Sequence, residues 1–441
     1  MKNPLVEILV KMKIIGSAGS TRGVIANFFW LVTDKFLRYG LSILVSVWMA
    51  RYLGPKDFGD YSFAIALLGL CTPLLTLGLD SIVVKELVER PKHTNTILSA
   101  TIGLKFIGSI VTVIFCILYA FLTQNEGSAF WAVVVISLSS IFQIFDAIDY
   151  WFQAQSLSKY AVISKNISLL IILGLRIVLL IYHYPLEYFA FAYFFEILLN
   201  AISLLIIFKI RSKSYFKWDF SVVESRTLLG LSWPIFISHV GTFAYYKIGQ
   251  VMIEGISGPA SLGVYSVALK FSEIWYFIPS MIYISVMPNL IETRVNDKEV
   301  FKKKITRMYS GMIWMSIGIA IVITLLSDSI INLLYGIQYA LAADVLKVHI
   351  WSGVFIFSGT LAQLWFLIEG KIKYTILYNF LGAISNIIFN LILIPHYGLF
   401  GAATSAILSY GICNYLCPAL FVSTRENFYL LSKAFNPKNI F

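Results

Sequence analysis

Charged residues inside long apolar stretches are the residues of this chain best suited to do chemistry. A charge at the centre of a membrane costs at least about 2.5–3.5 kcal/mol, so each one needs a partner, a wet cavity or a ligand. Arginine binds phosphate through a fork of donors, and lysine acts as a point charge. Each of these charges is therefore a candidate functional residue. The basic residues are Lys35, Arg38, Lys105, Arg176, Lys247 and Lys270, and the acidic residues are Asp34, Asp146, Asp149, Glu196 and Glu273.

The densest cluster lies in the first apolar stretch, where Asp34, Lys35 and Arg38 fall within five residues. Asp34 and Arg38 are four apart and share one face of a helix. Three charges this close cannot all face lipid. Two interpretations remain open, namely an ion pair that joins helices and a solvated transport cavity. In the second, Lys35 and Arg38 line the cavity, and Asp34 is placed to orient Arg38 or to bind a coupling cation.

Other intramembrane charges also leave two interpretations open. Lys270 and Glu273 are three residues apart and suit either a self-contained pair or a site with Glu273 in a coupling or orienting role. Arg176 and Lys105 lie toward the outer and inner thirds of their spans. Each is a candidate to assist Arg38 or, for Arg176, to reach the headgroups instead. Asp146 and Asp149 share a face at the inner end of a span, where a cytoplasmic rim is the simpler explanation.

Uncharged polar residues add a second set of candidates. Thr375, Asn379, Asn386 and Asn390 follow one another at steps of four, seven and four residues, which places them in a stripe along a helix. Such a stripe either hydrogen-bonds neighbouring helices or lines a cavity. His239 lies well inside an apolar stretch and is a further candidate for cavity lining, although a histidine in such a place is more often a hydrogen-bonded core residue.

The composition shows what kind of chain must position these residues. Of its 441 residues 59% are hydrophobic and only 13% are charged, whereas soluble domains carry about 25% charged residues. The mean hydropathy of +0.80 describes the whole length rather than one anchor. These values exclude a soluble enzyme, a nucleic-acid-binding protein and a disordered scaffold. The net charge of +11 then needs an explanation other than nucleic acid.

Apolar stretches long enough to cross a membrane recur along the chain. A spanning helix needs about 20 residues, and the stretches do not alternate with period two as barrel strands do. The chain is therefore predicted to be an all-α integral membrane protein with twelve transmembrane helices. The predicted spans are 27–51, 58–80, 97–122, 129–152, 161–182, 186–208, 227–250, 260–290, 306–327, 346–368, 373–395 and 398–423.

The connecting segments sort by charge into two alternating sets. One set carries 25 of the 34 Lys and Arg residues, and the other carries only Arg51, Lys56 and Lys347. By the positive-inside rule the basic set is cytoplasmic, which places both termini inside. The basic segments are 1–26, 81–96, 153–165, 209–226, 291–307, 369–374 and 424–441.

An internal repeat divides the chain into two halves. Residues 54–64 read GPKDFGDYSFA and residues 258–268 read GPASLGVYSVA, with six of eleven positions identical at an offset of 204. Both copies open the second span of a six-span set. Two parallel six-helix lobes are therefore predicted. The predicted domains are an interfacial segment at 1–26, lobes at 27–208 and 227–423, a cytoplasmic linker at 209–226 and a cytoplasmic tail at 424–441.

Several kinds of chemistry have no motif in the sequence. Cys71, Cys116, Cys413 and Cys417 all lie in apolar stretches without metal-site spacing, so neither a disulfide framework nor a zinc site is expected. There is no GxxxxGK[ST] loop, and no GxGxxG, HExxH or GxSxG motif. We expect no cofactor, no metal and no catalytic residue. Transport would draw on an ion gradient, the membrane potential or the gradient of the substrate itself.

The opening of the chain resembles that of the polysaccharide (O-antigen repeat-unit) flippases. The resemblance lies in Asp34-Lys35 and Arg38, then in Ala50 to Pro55 (ARYLGP) and Phe58 to Ser62 (FGDYS), and it extends over the two-lobe layout. That family belongs to the multidrug/oligosaccharidyl-lipid/polysaccharide exporter superfamily. The resemblance implies a V-shaped bundle of two lobes around a central cavity, with alternating access.

The same resemblance implies a substrate and a location. The substrate would be an oligosaccharide on a polyprenyl pyrophosphate, moved from the cytoplasmic to the periplasmic leaflet of a bacterial inner membrane. Intramembrane cations at Arg38, Lys35, Lys105, Arg176 and Lys270 suit the pyrophosphate. Expected partners are this substrate, membrane lipids and, further, a polysaccharide polymerase and other assembly proteins, but not nucleic acid. The protein would be a transporter rather than an enzyme.

Two other functions remain as alternatives. A multidrug cation antiporter of the same fold would need a net acidic cavity rather than a cationic one. A membrane polymerase or ligase would need a catalytic loop outside the bilayer, and the short outer loops argue against it. The sugar, the coupling ion and the oligomeric state have no signal in the sequence.

Overall fold

Helices are the only regular secondary structure among the described residues. The computed structural model describes the backbone of residues 21–123, 127–212 and 217–439, and the side chains of those ranges from Gly40 to Lys438. Within these ranges no strand occurs. The predicted all-α class is therefore confirmed for the described chain.

The α-helices are numbered in chain order. They are α1 (Thr21–Leu70), α2 (Thr72–Thr76), α3 (Leu79–Glu89), α4 (Thr94–Thr123), α5 (Ser128–Ser139), α6 (Asp146–Ala154), α7 (Lys159–Ile181), α8 (Leu186–Arg211), α9 (Val222–Ser257), α10 (Pro259–Glu273), α11 (Phe277–Asn296), α12 (Lys298–Tyr335), α13 (Ala340–His349), α14 (Ser352–Ile368), α15 (Ile372–Gly411), α16 (Cys417–Leu420) and α17 (Arg425–Ala434).

Many of these helices are long and apolar enough to cross a membrane. Among the described residues eight helical stretches qualify, and the number rises to ten if each of two bent pairs counts as one span. The last stretch, Ile372–Leu420, covers the predicted span 373–395 and most of the predicted span 398–423. The backbone leaves helical geometry at Gly398, where the second of these spans begins. The chain is a multi-span membrane protein, and the number twelve stays a prediction.

The chain divides into two compact units. One unit spans Val45–Ser266, and the other comprises Val267–Phe441 together with Met1–Leu44. In the first unit α7 packs on α8, α5 on α8, and α9 against α2, α3 and α4. Its core is a cluster of buried apolar side chains that includes Leu79, Leu87, Ile97, Phe152 and Leu228. The lobe boundaries predicted from the repeat, 27–208 and 227–423, stay a prediction.

The second unit is built around α12. This helix begins at a cap in which the carboxylate of Asp297 accepts hydrogen bonds from the backbone N–H groups of Glu299 and Val300. It packs against α11, α13, α14 and α17. A buried hydrogen bond of 2.7 Å from the hydroxyl of Tyr309 to the side-chain oxygen of Asn427 joins α12 to α17. The predicted cytoplasmic tail therefore includes a helix fixed to this unit.

Both copies of the repeat break the helix in the same way. Gly54 has φ 74° and ψ 173°, and Gly258 has φ 81° and ψ 171°. Only glycine adopts this conformation without strain. A proline follows each glycine, as Pro55 and Pro259, where its missing N–H costs the new helix nothing. The sequence repeat is thus also a repeat of backbone geometry.

The two copies also meet each other, within the unit Val45–Ser266. A Cβ atom added at Gly59 would lie 1.8 Å from the backbone oxygen of Pro259, and one added at Gly263 would lie 2.0 Å from that of Pro55. Since Gly59 and Gly263 are related by the repeat offset of 204, as are the two prolines, the contact is reciprocal. We call it the glycine crossing. Two helix backbones approach this closely only where both carry glycine.

Arg90 and Arg294, near the ends of α3 and α11, are also related by the repeat offset of 204 residues. The guanidinium of Arg90 donates to both carboxylate oxygens of Glu224, at 3.1 and 2.5 Å, and to Glu86 at 2.7 Å. The guanidinium of Arg294 donates to both carboxylate oxygens of Glu369, at 2.5 and 3.2 Å. Each arginine thus ties one helix to another through a forked pair within its own unit.

Candidate functional site

A polar cavity of about 520 Å³ lies in the unit Val45–Ser266. Helices α2, α3, α6 and α7 contribute its walls, and nearly all of the lining side chains carry a hydrogen-bonding group. The lining residues are Thr76, Asp80, Ser81, Val84, Asp146, Asp149, Tyr150, Gln153 and Lys165. We call it the polar cavity.

A break in the fourth predicted span positions the acidic wall of the polar cavity. After α5 the chain forms a tighter 3₁₀ segment, Ser140–Phe145, and α6 begins anew at Asp146. Asp146 and Asp149 therefore occupy the first turn of α6. At this position the Asp146 side chain is 33% exposed and that of Asp149 is 11% exposed.

Lys105 lies behind this wall, on α4. Its side chain is only 2% exposed, and its ammonium is 3.9 Å from a carboxylate oxygen of Asp146. The ammonium also donates to the hydroxyl of Tyr150 at 3.5 Å. Both contacts are long for a buried cation, which normally needs close partners to offset its lost hydration. Lys105 is therefore the described intramembrane cation with the clearest reason to have a function.

A second ion pair, between Lys165 and Asp149, lines the cavity. The ammonium of Lys165 is 2.6 Å from a carboxylate oxygen of Asp149, whose other oxygen accepts a hydrogen bond of 3.2 Å from the amide of Gln153. The Lys165 side chain is 40% exposed and that of Asp149 is 11% exposed. Both oxygens of Asp149 thus have partners, and Lys165 has donor capacity left for a ligand.

Asp80 completes the charged lining. Its Oδ1 atom is buried and accepts no hydrogen bond from the described residues. Leaving such an acceptor empty costs free energy, which a bound water or ligand would recover. With Asp80, Asp146 and Asp149 opposed by Lys105 and Lys165, the group has a formal charge of −1. The polar cavity is therefore mildly acidic rather than cationic.

Arg176 occupies a separate position in the same unit, on α7. It donates a hydrogen bond of 2.9 Å to Glu196 on α8, and both side chains are largely buried. Tyr61 and Tyr193 are among its electrostatic neighbours. Its Nε–H group is buried without an acceptor among the described residues. The guanidinium therefore retains an unused donor, as an anion-binding residue requires.

The remaining charged candidates lie on α9 and α10. Lys270 and Glu273 are half-buried near the end of α10, and both take part in polar or electrostatic interactions. The ring of His239, on α9, packs edge-on to Phe243 at 6.1 Å between centres. Its Nδ1 atom is buried and has no partner among the described residues. His239 thus combines a core-like ring contact with an unused polar atom.

The asparagine stripe of α15 is buried. Asn379, Asn386 and Asn390 are 7%, 3% and 1% exposed. The amide of Asn390 donates to the side-chain oxygen of Asn386 at 2.7 Å, and the thiol of Cys413 lies 3.7 Å from the oxygen of Asn379. The Oδ1 atom of Asn390 is buried without a donor among the described residues. Asn386 and Asn390 are therefore hydrogen-bonded to each other within their own helix.

The cluster of Asp34, Lys35 and Arg38 lies outside the described side chains. The backbone there belongs to α1 (Thr21–Leu70). The roles predicted for these three residues therefore stay predictions. Of the predicted site residues whose side chains are described, Lys105 contacts the polar cavity's lining and Arg176 makes its ion pair elsewhere in the unit.

Comparison with known sequences identifies the family. A family model described as "polysaccharide biosynthesis protein" matches residues 24–294, which is more than half of the chain. The chain belongs to this family. The resemblance to polysaccharide flippases drawn from the opening motif is thereby confirmed.

Two curated relatives of this polysaccharide biosynthesis family member match nearly end to end. The capsular polysaccharide biosynthesis protein CapF of Staphylococcus aureus is 22% identical over 399 residues, covering 88% of this chain and 96% of CapF. A putative O-antigen transporter of Shigella flexneri is 24% identical over 414 residues, covering 87% of this chain and 94% of that protein. Both names connect these relatives with surface polysaccharides.

Solved structures with the same fold come from one superfamily. The lipid II flippase MurJ, in an inward closed conformation, aligns with a TM-score of 0.74 at 16% identity, covering 92% of this chain and 90% of that one. A multidrug resistance MATE family transporter of the MOP superfamily, in an inward-facing conformation, aligns with a TM-score of 0.70 at 13% identity, covering 90% and 96%. At these identities the likeness shows the fold, which is that of MATE and MurJ transporters.

Reasoning from the sequence of this family member missed part of the polar cavity. Asp80, Tyr150, Gln153 and Lys165 were not among the predicted site residues, and Asp146 and Asp149 were explained as a cytoplasmic rim. One signal was available. The predicted topology places Lys105, Asp146 and Lys165 at the same end of their spans, which is a signal that these opposite charges could meet. The depth of Lys105 and the free acceptor on Asp80 had no sequence signal.

Proposed function

We propose that this protein is a flippase for a polyprenyl-pyrophosphate-linked oligosaccharide of the O-antigen repeat-unit type. It would carry the head group from the cytoplasmic to the periplasmic leaflet by alternating access, coupled to an ion gradient or the membrane potential. The observation that carries the proposal is the match to the polysaccharide biosynthesis family over residues 24–294. The relative named as an O-antigen transporter and the shared fold with a lipid II flippase support it.

The proposal includes an architecture and a location. Twelve spans would form two six-helix lobes, at 27–208 and 227–423, in a V-shaped bundle around a central cavity. Both termini would face the cytoplasm of a bacterium, and the bundle would lie in the inner membrane. The repeated backbone geometry at Gly54 and Gly258 supports two equivalent halves. Membrane lipids, and a polymerase with other assembly proteins, would be its partners.

Cations inside the membrane would bind the pyrophosphate. We assign the principal contacts to Arg38 and Lys35, with Lys105, Arg176 and Lys270 assisting. The unused Nε–H donor of Arg176 and the sparsely paired ammonium of Lys105 support this assignment, because each has hydrogen-bonding capacity to offer an anion.

The remaining assignments concern coupling and cavity lining. Asp34 and Glu273 would orient cations or carry a coupling ion. His239, Asn379, Asn386 and Asn390 are assigned to the lining. The unpaired polar atoms of His239 and Asn390 support that role, because each would gain a partner from water or substrate. We assign no catalytic residue, no metal and no cofactor, so the protein would be a transporter and not an enzyme.

One substitution tests the site and one deletion tests the function. Arg38→Ala should abolish surface polysaccharide while the protein still inserts into the membrane, and Arg226→Ala, at an exposed position on α9, serves as the matched control. Normal polysaccharide in Arg38→Ala cells would refute the site assignment. After deletion of the gene, single lipid-linked units should accumulate on the cytoplasmic leaflet. Units displayed on the outer leaflet would instead indicate a polymerase or ligase.

A multidrug cation antiporter is the second candidate, because MATE transporters share the fold. Such a protein would concentrate cations in its cavity, whereas the flippase would concentrate anions. Cysteines introduced next to position 38 should react faster with anionic than with cationic thiol reagents of equal size. The opposite order would favour the antiporter.

A further inference from the structure

The polar cavity has the size of a binding site for a small organic molecule. Its volume is about 520 Å³, within the range of about 300–1,000 Å³ that ligand pockets occupy. The function proposed above uses Lys105 from this region but gives the cavity itself no ligand.

The lining offers both kinds of hydrogen-bonding group side by side. Acceptors come from Asp80, whose Oδ1 atom has no donor among the described residues, and from Asp146, whose ion pair with Lys105 is long at 3.9 Å. Donors come from the exposed part of the Lys165 ammonium and from the hydroxyl of Tyr150. A sugar hydroxyl both donates and accepts, so it can use neighbouring groups of both kinds.

The charges of the lining argue against simple ions. A phosphate or carboxylate ligand inside the cavity would face Asp80, Asp146 and Asp149 together. Lys105, assigned above to the pyrophosphate, lies behind Asp146 and does not line the cavity. A small cation would face the ammonium of Lys165, and the described residues contain no cluster of three or more His, Cys, Asp or Glu able to hold a metal ion. An uncharged polyhydroxylated ligand avoids both repulsions. Because the group has a formal charge of −1, an acidic ligand is the least favoured.

The predicted topology places the cavity where a sugar would first meet the protein. Asp80, Gln153 and Lys165 lie at or beside segments 81–96 and 153–165, which the charge pattern predicts to be cytoplasmic. The head group of a lipid-linked oligosaccharide lies at this level before transport, since its polyprenyl tail stays in the lipid. Ligand and cavity would therefore occupy the same depth.

We propose that the polar cavity binds an uncharged sugar residue of the lipid-linked head group and disfavours acidic sugars. This inference rests on the flippase function proposed above and names its substrate class. Asp80 accepts hydrogen bonds from the sugar, Lys165 and Tyr150 donate to it, and the carboxylates repel a uronic acid. The cavity thus sets a preference for neutral repeat units.

Two matched probes test the preference. Purified full-length protein in proteoliposomes would be given short-chain polyprenyl pyrophosphate carrying either glucose or glucuronic acid, which differ only in a CH₂OH or carboxylate group. Transport is measured as the fraction of sugar exposed to a membrane-impermeant oxidant over time. The glucose probe should be transported about tenfold faster, as one added like charge within a few ångströms predicts.

A charge-removing variant identifies where the preference arises. Asp80→Asn keeps the side-chain shape and removes one negative charge, so the glucuronate-to-glucose rate ratio should rise about fivefold. Asp328→Asn, an aspartate in the other unit that pairs with Lys347, is the control and should leave the ratio unchanged. A general folding defect would slow both probes alike, and a ratio is insensitive to it.

The outcomes separate this inference from the function on which it rests. Equal transport of both probes by the wild-type protein would overturn the cavity assignment and leave the flippase function standing. A wild-type preference that Asp80→Asn does not alter would also overturn it, because the discrimination would then arise elsewhere. Transport of neither probe would overturn the proposed function together with the inference.

Discussion

At the scale of single residues, charges near the ends of helices are matched more closely than charges inside the spans. Arg90 and Arg294 each hold a glutamate in a forked contact with at least one oxygen at 2.5 Å, whereas Lys105 inside α4 meets Asp146 only at 3.9 Å. Forked guanidinium–carboxylate pairs are among the strong charged contacts in proteins. The first two residues suit a structural role, and Lys105 suits a functional one.

Replacing the forked guanidinium of Arg90 with the single ammonium of a lysine should destabilise the first unit. Arg90→Lys keeps the charge but loses the simultaneous contacts with Glu86 and Glu224, and we expect the free energy of unfolding to fall by about 1 kcal/mol. The midpoint of thermal unfolding in detergent measures it. Arg226→Lys is the control at an exposed site on α9, and an equal loss in both variants would contradict the role given to the fork.

The pair of Arg294 with Glu369 should make stability depend on pH. Burial raises the pKa of Glu369, but the hydrogen bonds and charge of Arg294 outweigh it and hold the pKa below its ordinary value of 4.5. A carboxylate whose pKa is lower in the folded state stabilises the fold above pH 4.5, and that contribution is lost as pH falls through the lowered pKa.

Glu369→Gln removes this titration. We expect the variant to be less stable than wild type at pH 7 by about 1–2 kcal/mol. The difference should shrink as the pH is lowered below about 4.5. Unfolding midpoints measured from pH 7 to pH 3 give the comparison. A constant difference across this range would show that Glu369 does not titrate with the fold.

At the scale of helices, the sequence predicted elements well where length and apolarity decide them. The predicted spans 161–182 and 186–208 correspond to Lys159–Ile181 and Leu186–Arg211. The sequence did not predict the 3₁₀ interruption at Ser140–Phe145, because that segment is mostly apolar and contains no glycine or proline. The interruption determines where Asp146 and Asp149 point, so part of the polar cavity was also missed.

The glycine crossing gives a prediction for helix packing. In Gly59→Ala the added methyl would overlap the backbone oxygen of Pro259, and moving the two helices apart should cost about 1–3 kcal/mol of stability. In Gly255→Ala nothing lies within 4 Å of the added carbon, so this control should be neutral or slightly stabilising. Thermal unfolding of both variants measures the difference. A Gly59→Ala protein as stable as the control would show that the helices separate freely.

At the scale of the whole molecule, composition and loop charge predict a multi-span helical membrane protein, and the resemblance of the opening motif implies a transporter. The sequence could not reveal which distant residues meet. Lys105 and Asp146, or Arg90 and Glu224, come together only through the packing of α4 with α6 and of α3 with α9. Periodicity reports which face of a helix is apolar, but it does not identify the neighbouring helix.

The predicted topology can be tested with introduced cysteines. All four native cysteines are buried, so wild-type protein should not react with a membrane-impermeant maleimide and provides the blank. Tyr397→Cys, at an exposed position in a predicted outer turn, should be labelled in intact cells. Gln155→Cys, exposed in a predicted inner segment, should be labelled only after permeabilisation. Labelling of both in intact cells would refute the charge-based orientation.

The glycine crossing also bears on how such a chain arises. Gly59 meets Pro259 while Gly263 meets Pro55, and a reciprocal contact of this kind is what the two-fold interface of a homodimer contains. A half-length ancestor pairing with its own copy would already have possessed this surface. Gene duplication and fusion would then retain it without any new interface having to evolve. After fusion, each copy limits the substitutions that the other can accept.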